Sequence, residues 1–257
     1  MKLGIVIPFK SKQVSNSWST TCDALWHTLQ TIIKQSNQSF SVAVVGHEKP
    51  DFFDRIAQDN IQFVTVDAPA PDRSSANFSH RDYLDDKSLK IATGIKLLKS
   101  QDIDYWYQLD ADDLMALNFV DTISKQPKAS GYIINHGYIL YKNRGRVIAN
   151  DDLILYCGST SIIADAHMPT PTDFSTTGVN IIPWCRYPHM TFDQFFIQEL
   201  DDPALVINDR LLCYVLGSGD NISDAWRDNW WKKLKAYLKP IIKGQRISKE
   251  LQQQFLL

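Results

Sequence analysis

An α/β fold, with a mixed but mainly parallel sheet flanked by helices, is predicted by three observations. The first half of the chain alternates strand-like and helix-like segments, the strand-like segments end in polar clusters, and 257 residues suffice for one domain with a sizeable core. Strands alternating with helices pair in parallel through right-handed crossovers, and such sheets bind ligands beyond the carboxyl ends of their strands. A hydrophobic fraction of 44% and a charged fraction of 22% are those of an ordinary globular protein. No run reaches the roughly 18 apolar residues that a membrane-spanning helix needs. The opening Met1 to Pro8 holds a short apolar run broken by proline, which reads as a first strand rather than a signal peptide. Cys22, Cys157, Cys185 and Cys213 lack C-x-x-C spacing, so neither a zinc site nor a disulfide framework is indicated. A cytoplasmic, reducing location is the default expectation.

Taken in order, Leu3 to Ile7 is the first strand, and Leu25, Leu29, Ile32 and Ile33 recur at helical spacing over 25–34. Ser41 to Gly46 is a strand, Phe52 to Gln58 a short helix, and Ile61 to Asp67 a third strand. Ile91, Ile95 and Leu98 put one apolar face on a helix over 89–99. It leads to the aromatic strand Tyr105-Trp106-Tyr107-Gln108-Leu109, which runs into Asp110-Ala111-Asp112-Asp113. Further on, Gly131 to Tyr141 and Leu153 to Ile163 read as strands, Met168 to Pro188 as proline-rich loop, Thr191 to Leu200 as helix and Leu205 to Val215 as strand. Trp226, Trp230, Trp231, Leu234, Leu238 and Ile241, with lysines between them, predict a basic amphipathic helix stopped or kinked at Pro240.

The formal charge of −2 is unevenly spread: residues 226–257 hold eight basic side chains against two acidic ones, about +6, which leaves about −8 for the body. An acidic body repels phosphates over most of its surface, so a nucleic-acid partner is not expected. The tail either docks on an anionic membrane, at the inner face, or packs on the body with its lysines in solvent.

Extended residues alternate faces, so Asp110 and Asp112 project on the same side where the strand ends. Two carboxylates at that spacing form half of an oxygen cage for Mg²⁺ or Mn²⁺, completed by water and phosphate oxygens. The other reading is a polar turn that caps the following helix. Pro8-Phe9-Lys10, Gly46-His47-Glu48, Asp67 and Asp110-Ala111-Asp112 all fall at carboxyl ends of strands, where one crevice can hold them all.

Four stretches, in this order, resemble glycosyltransferases of the GT-A fold, the nucleotide-sugar-dependent type, in their bacterial, family-2-like form. They are Ile7-Pro8-Phe9; Asp86-Lys87-Ser88-Leu89-Lys90; Leu109-Asp110-Ala111-Asp112-Asp113; and Cys157-Gly158-Ser159-Thr160-Ser161 followed by Gly217-Ser218-Gly219-Asp220-Asn221-Ile222-Ser223. The resemblance covers roughly residues 1–225. It implies a GT-A (Rossmann-like) domain over 1–225, with a nucleotide-sugar half (1–115) and an acceptor half (116–225), and a helical tail over 226–257. The implied activity is a metal-dependent, hexosyltransferase-like transfer from a nucleotide-diphosphate sugar, a UDP-sugar favoured, to a hydroxyl of a saccharide or lipid-linked acceptor in polysaccharide or glycoconjugate biosynthesis.

By that similarity Asp112 is a direct ligand of Mn²⁺ or Mg²⁺, Asp110 reaches metal or ribose, and Asp113 orients water behind them. Pro8, Phe9 and Ala111 line the donor, and Glu48 and Asp67 approach base and ribose. Lys87 and Lys90, three apart at a helix start, either face a phosphate or are solvated lysines. Ser218 stands where the family often carries a metal-binding histidine, so Asp220 or water is expected to complete the metal. Asn221 and Ser223 contact phosphate or cap a helix. Asp193 is the candidate base and His189 its alternative or a substrate contact. Trp184 and Tyr187 are the expected acceptor contacts, and His136 and Asp165 are read as structural. Three rivals stand beside this reading. A sugar nucleotidyltransferase normally has a Gly-rich loop after strand one, which Pro8-Phe9-Lys10-Ser11-Lys12 lacks. A non-catalytic sugar or nucleotide-sugar binding module would have kept the fold alone. A phosphatase with an aspartate nucleophile would carry its D-x-D after the first strand, not the fourth.

Overall fold

The computed structural model describes residues 1–217 and 238–257. A central sheet contains β1 (Leu3–Pro8), β2 (Phe40–Gly46), β3 (Ile61–Thr65), β4 (Tyr105–Gln108), β6 (Gly131–Ile134), β9 (Ser161–Ala164) and β10 (Leu205–Ile207). Its order is β10-β6-β9-β4-β1-β2-β3. β1 pairs in parallel with β2 and β4, β2 with β3, and β6 with β10; β9 alone runs against its neighbours β4 and β6. The mixed, mainly parallel α/β class is the one expected. A second sheet, in the order β12-β8-β7-β11-β5, is made of β5 (Leu114–Met115), β7 (Gly137–Tyr141), β8 (Arg146–Asn150), β11 (Leu212–Leu216) and β12 (Gln245–Arg246).

The central strands are near-continuous apolar runs because both faces are covered. Leu3, Ile5, Ile7, Tyr105 and Tyr107 join the core beneath α1 (Trp18–Ile33) and the second sheet, while Val6, Val45 and Trp106 join the core beneath α2 (His80–Leu98). Both helices begin earlier than their apolar stripes suggest. Ser17 caps α1 by accepting from Thr20 N, and Ser79 and Asp82 form a capping box on α2, with Ser79 N 2.7 Å from Asp82 Oδ2. The first turns of α2 project beyond the sheet, leaving Leu84 44% exposed, so no apolar periodicity announces them.

Several second-half elements differ from expectation. Leu153 to Ile163 is a 3-10 turn (Leu153–Leu155), a loop and then β9, and Leu205 to Val215 is two strands in different sheets. Arg210 sits at the break between them and donates to the carbonyls of Gly137 and Asn150. β5, β8 and a short α3 (Phe119–Ser124) had no clear signal. The proline-rich stretch holds α4 (Pro183–Arg186), and α5 (Asp193–Glu199) follows it. The end of the chain is part of the body rather than a tail: β12 pairs with β8, and α6 (Lys249–Phe255) buries Leu251 and Phe255, the latter against the Tyr138 ring at 5.7 Å. These apolar side chains are withdrawn from water by the second sheet. Trp226 to Leu234 of the expected amphipathic helix lie outside the described residues.

Candidate functional site

The polar turn after β4 is fixed by the loop that precedes β9. Asp110 N donates to Ser159 Oγ (2.9 Å), and the same hydroxyl donates to Asp113 Oδ2 (2.7 Å). Cys157 Sγ reaches that oxygen at 3.2 Å, and Val215 N approaches Asp113 Oδ1 at 3.4 Å. The Tyr107 hydroxyl donates to Ser159 O (2.7 Å), and Thr28 Oγ1 holds Ala111 O (2.9 Å). Asp113 is fully buried, and burial, then the charges of Asp112 and Asp110, push its carboxyl well above the usual carboxylate range. It is an internal strut that joins two loops. Ser159→Ala leaves both Asp110 N and Asp113 short of a partner, and is expected to lower stability by about 1–3 kcal/mol in urea denaturation.

Asp110 and Asp112 are both half-buried in this turn, and Asp112 feels the charge of Asp110. Asp110 Oδ1 accepts from Lys87 Nζ (2.6 Å) and Gln108 Nε2 (3.0 Å). A Cβ on Gly158 would stand 2.9 Å from Asp110 Oδ2 and 3.6 Å from Lys87 Nζ, so glycine keeps the space beside this pair open. Burial alone would push the Lys87 ammonium down, but the charge and hydrogen bond of Asp110, with Asp113 and Asp112 behind, hold it above its ordinary value. Asp112 is pushed up to about 6 by burial and then by Asp110, against the pull of Lys10 and Lys87. A carboxyl raised in this way contributes stability that is fully present below its unfolded value of 3.8 and lost as pH rises through about 6. Asp112→Asn is therefore expected to raise the melting temperature of the ligand-free protein at pH 7.5 and to change it little at pH 4, by calorimetry.

His189 comes near this cluster from the second half of the chain. Its 3-10 turn (His189–Thr191) packs on the Leu153–Leu155 turn, and the ring feels both Asp110 and Lys87. Burial lowers its pKa, Lys87 lowers it further, and Asp110 and a backbone bond at Leu155 oppose this, so the ring is neutral at physiological pH. Asp193 is exposed on the first turn of α5, and no hydrogen bond ties it to this cluster among the described residues.

The other expected residues divide. Pro8 is half-buried at the end of β1, Ala111 is half-buried in the carboxylate turn, and Asp67 is exposed just past β3. Glu48 Oε2 accepts from Lys12 N (3.0 Å), joining the loops after β1 and β2. Phe9 is fully buried against the Trp18 ring at 5.2 Å, so its side chain is core and only its backbone borders the crevice. Lys90 is 1% exposed, its ammonium held by Asp86 Oδ2 at 2.5 Å; the expected phosphate contact is not available to it. Asp86 also holds His47 Nε2 at 2.7 Å, a pairing that sequence reasoning missed, although the i,i+4 spacing of Asp86 and Lys90 and the strand-end place of His47 were both visible. Trp184 donates its indole N–H to Ser161 Oγ (2.9 Å), and Tyr187 bonds Glu199 while packing on Phe195, so both have structural contacts. Asp165 is structural, accepting from Trp106 Nε1 and Lys99, and His136 stands 3.8 Å from Asp151. Ser218, Asp220, Asn221 and Ser223 lie outside the described residues.

Among the described residues no group of three His, Cys, Asp or Glu side chains forms a metal cage. The donor set at the crevice is two adjacent hard carboxylates whose mutual repulsion a cation relieves. It fits Mg²⁺ or Mn²⁺, which take much of their coordination from water and phosphate, and does not fit a closed zinc site.

No family model and no curated protein matches the sequence. Among solved structures, the chain is similar to S. aureus TarS, at 12% identity and a TM-score of 0.47 over 84% of this chain and 37% of that one. It is also similar to an inositol-1-phosphate CTP transferase from T. maritima, at 10% identity and a TM-score of 0.45 over 93% and 96% of the two chains. A third is the glycosyltransferase GlyE of Streptococcus pneumoniae, at 6% identity and a TM-score of 0.43 over 92% and 59%. The chain thus spans little more than a third of TarS.

Proposed function

We propose that this protein is a metal-dependent glycosyltransferase of the GT-A type, moving a sugar from a nucleotide-diphosphate sugar to a hydroxyl of a saccharide or lipid-linked acceptor. One observation carries the reading: Asp110 and Asp112 stand together at the carboxyl end of β4, with Lys87 on Asp110 and the neutral His189 within electrostatic range. Residues 1–115 then bind the donor and 116–225 shape the acceptor side.

Breaking a sugar–phosphate bond moves negative charge onto the departing diphosphate. Mn²⁺ or Mg²⁺ held by Asp110 and Asp112 would supply positive charge against it. Lys87, kept charged, adds a second cation that exchanges Asp110 for a phosphate oxygen. Gly158 leaves room for the donor to approach the carboxylates. His189, uncharged, accepts the proton of the attacking hydroxyl at a ring nitrogen, and is preferred to the exposed Asp193 for that role. Leu155, Tyr156 and Met190, exposed at 49%, 43% and 54%, give the acceptor mouth an apolar rim beside His189. No described helix is long and apolar enough to cross a membrane. Polysaccharide or glycoconjugate synthesis at the inner membrane face, with residues 226–241 as a peripheral contact, is part of the proposal.

The test is product release from a panel of sugar nucleotides with and without Mn²⁺. Metal-dependent release of a nucleoside diphosphate supports glycosyl transfer. Pyrophosphate formed from a sugar phosphate and a nucleoside triphosphate would instead identify a nucleotidyltransferase, and nucleotide binding with a silent panel would identify a binding module.

A further inference from the structure

His189 is bordered by large apolar side chains that the fold leaves in water. Leu155, whose backbone bonds the His189 ring, its neighbour Tyr156, and Met190 are all exposed. The 3-10 turns that carry Leu155 and His189 pack on each other, so the three side chains belong to one surface. A contiguous apolar patch beside a polar site is a binding surface more often than scattered single side chains are.

A helical turn over 238–243 extends this surface and brings charge to it. Lys239 Nζ lies 5.3 Å from the centre of the Tyr156 ring, within cation–π range. Ile242, 74% exposed, is on the same turn. The turn is anchored to the second sheet. Pro240 is buried, Gly244 N donates to Pro240 O (3.0 Å), Arg146 Nη1 donates to Gly244 O (3.0 Å), and β12 follows at once. Residues 238–249 hold Lys239, Lys243, Arg246 and Lys249 and no acidic residue, in a chain whose net charge is −2. The charge beside the apolar rim is therefore locally positive, and it favours an anion.

The combination selects a class of ligand. A bare hydrocarbon leaves the ammonium unused, and phosphate alone leaves the rim in water. A molecule with a hydrocarbon chain and an anionic group satisfies both. We propose that Leu155, Tyr156, Met190, Ile242 and Lys239 bind the carrier of the acceptor, and that this carrier is a lipid phosphate. Its chain lies along the apolar side chains, its phosphate meets the Lys239 ammonium, and the saccharide it bears reaches His189. The inference rests on the transferase reading above, with His189 on the acceptor side, and narrows the acceptor to the lipid-phosphate-linked class.

Calorimetric titration of decyl phosphate, decyl glucoside and inorganic phosphate into the full-length protein, with the decyl compounds below micelle formation, tests this without any donor. The wild type should bind decyl phosphate at least about 5-fold more tightly than decyl glucoside, and more tightly than inorganic phosphate. Lys239→Met should bring the ratio of the two decyl compounds to near one. Met190→Ser should weaken both of them by about 3-fold or more. Equal affinities in the wild type, a preference that survives Lys239→Met, or decyl binding unchanged by Met190→Ser would overturn the inference and leave the donor reading standing. Displacement of decyl phosphate by UDP with Mn²⁺ would put it in the donor crevice and overturn the inference too. Failure of every nucleoside diphosphate to bind with Mn²⁺ would remove the donor reading, and with it the acceptor role of this surface.

Discussion

Asp112→Asn should abolish the stabilisation of the protein by sugar nucleotide plus Mn²⁺ and lower turnover by about 10³-fold, while the ligand-free variant melts above the wild type at neutral pH. The two effects have one cause. Asp112 is held beside Asp110 in a half-buried turn, where its charge is unfavourable, and its carboxyl is pushed up to about 6. In the absence of a cation the amide removes that repulsion. In its presence the amide supplies a neutral oxygen where the site needs an anionic one, and the charge that offsets the departing diphosphate is weakened. A loss of activity through misfolding would lower the melting temperature, so the opposite directions separate site chemistry from damage. Thermal shift with UDP and Mn²⁺, read beside steady-state kinetics, is the measurement. A variant that still shifts fully with nucleotide and metal would remove Asp112 from the metal site.

The carboxylate turn was legible in its place because that information is local: an aromatic strand and the acidic run at its end. The strand stops at Gln108 and Asp113 N bonds Asp110 O, so Asp110 to Asp113 is a tight turn and not the extended alternation expected. His189 came from a polar residue in a proline-rich loop, and its approach to Asp110 depends on packing between two 3-10 turns that no periodicity reveals. Phe9 and Lys90 were misplaced for a common reason. Each stands at the right end of its element, but whether a side chain there turns to the crevice or to the interior is decided by partners distant in sequence, Trp18 for one and the Asp86–His47 pair for the other. Asp113 shows the same limit: Ser159 and Cys157, more than forty residues away, make it a buried strut in place of the water-orienting group expected behind the metal ligands. Strands of two residues, such as β5 and β12, are too short to carry an alternation. The division of 205–215 between two sheets turns on Arg210, whose carbonyl partners on β7 and β8 are assembled only in the fold.

Lys90→Met should be the most destabilising of the substitutions considered, at about 3–5 kcal/mol, because it leaves the Asp86 carboxylate at 10% exposure without its ammonium. The methionine fills nearly the same volume, so the loss is electrostatic rather than a cavity. His47 Nε2–H still donates to Asp86, but one remaining donor does not balance a buried charge that had an ammonium on its second oxygen. The companion variant is Lys90→Met with Asp86→Leu. Apolar residues of similar size in place of a whole buried pair are often neutral. The double variant should therefore recover most of the stability that the single one loses, less the contribution of the stranded His47 Nε2–H. Urea denaturation of wild type, both single variants and the double variant gives the coupling between Asp86 and Lys90 directly. A coupling near zero would mean that the ammonium is solvated and that the Lys90–Asp86 contact holds nothing in place. A large coupling makes the pair the anchor that holds His47 at the sheet edge, since the same carboxylate bonds the Lys90 ammonium on α2 and the ring at the end of β2.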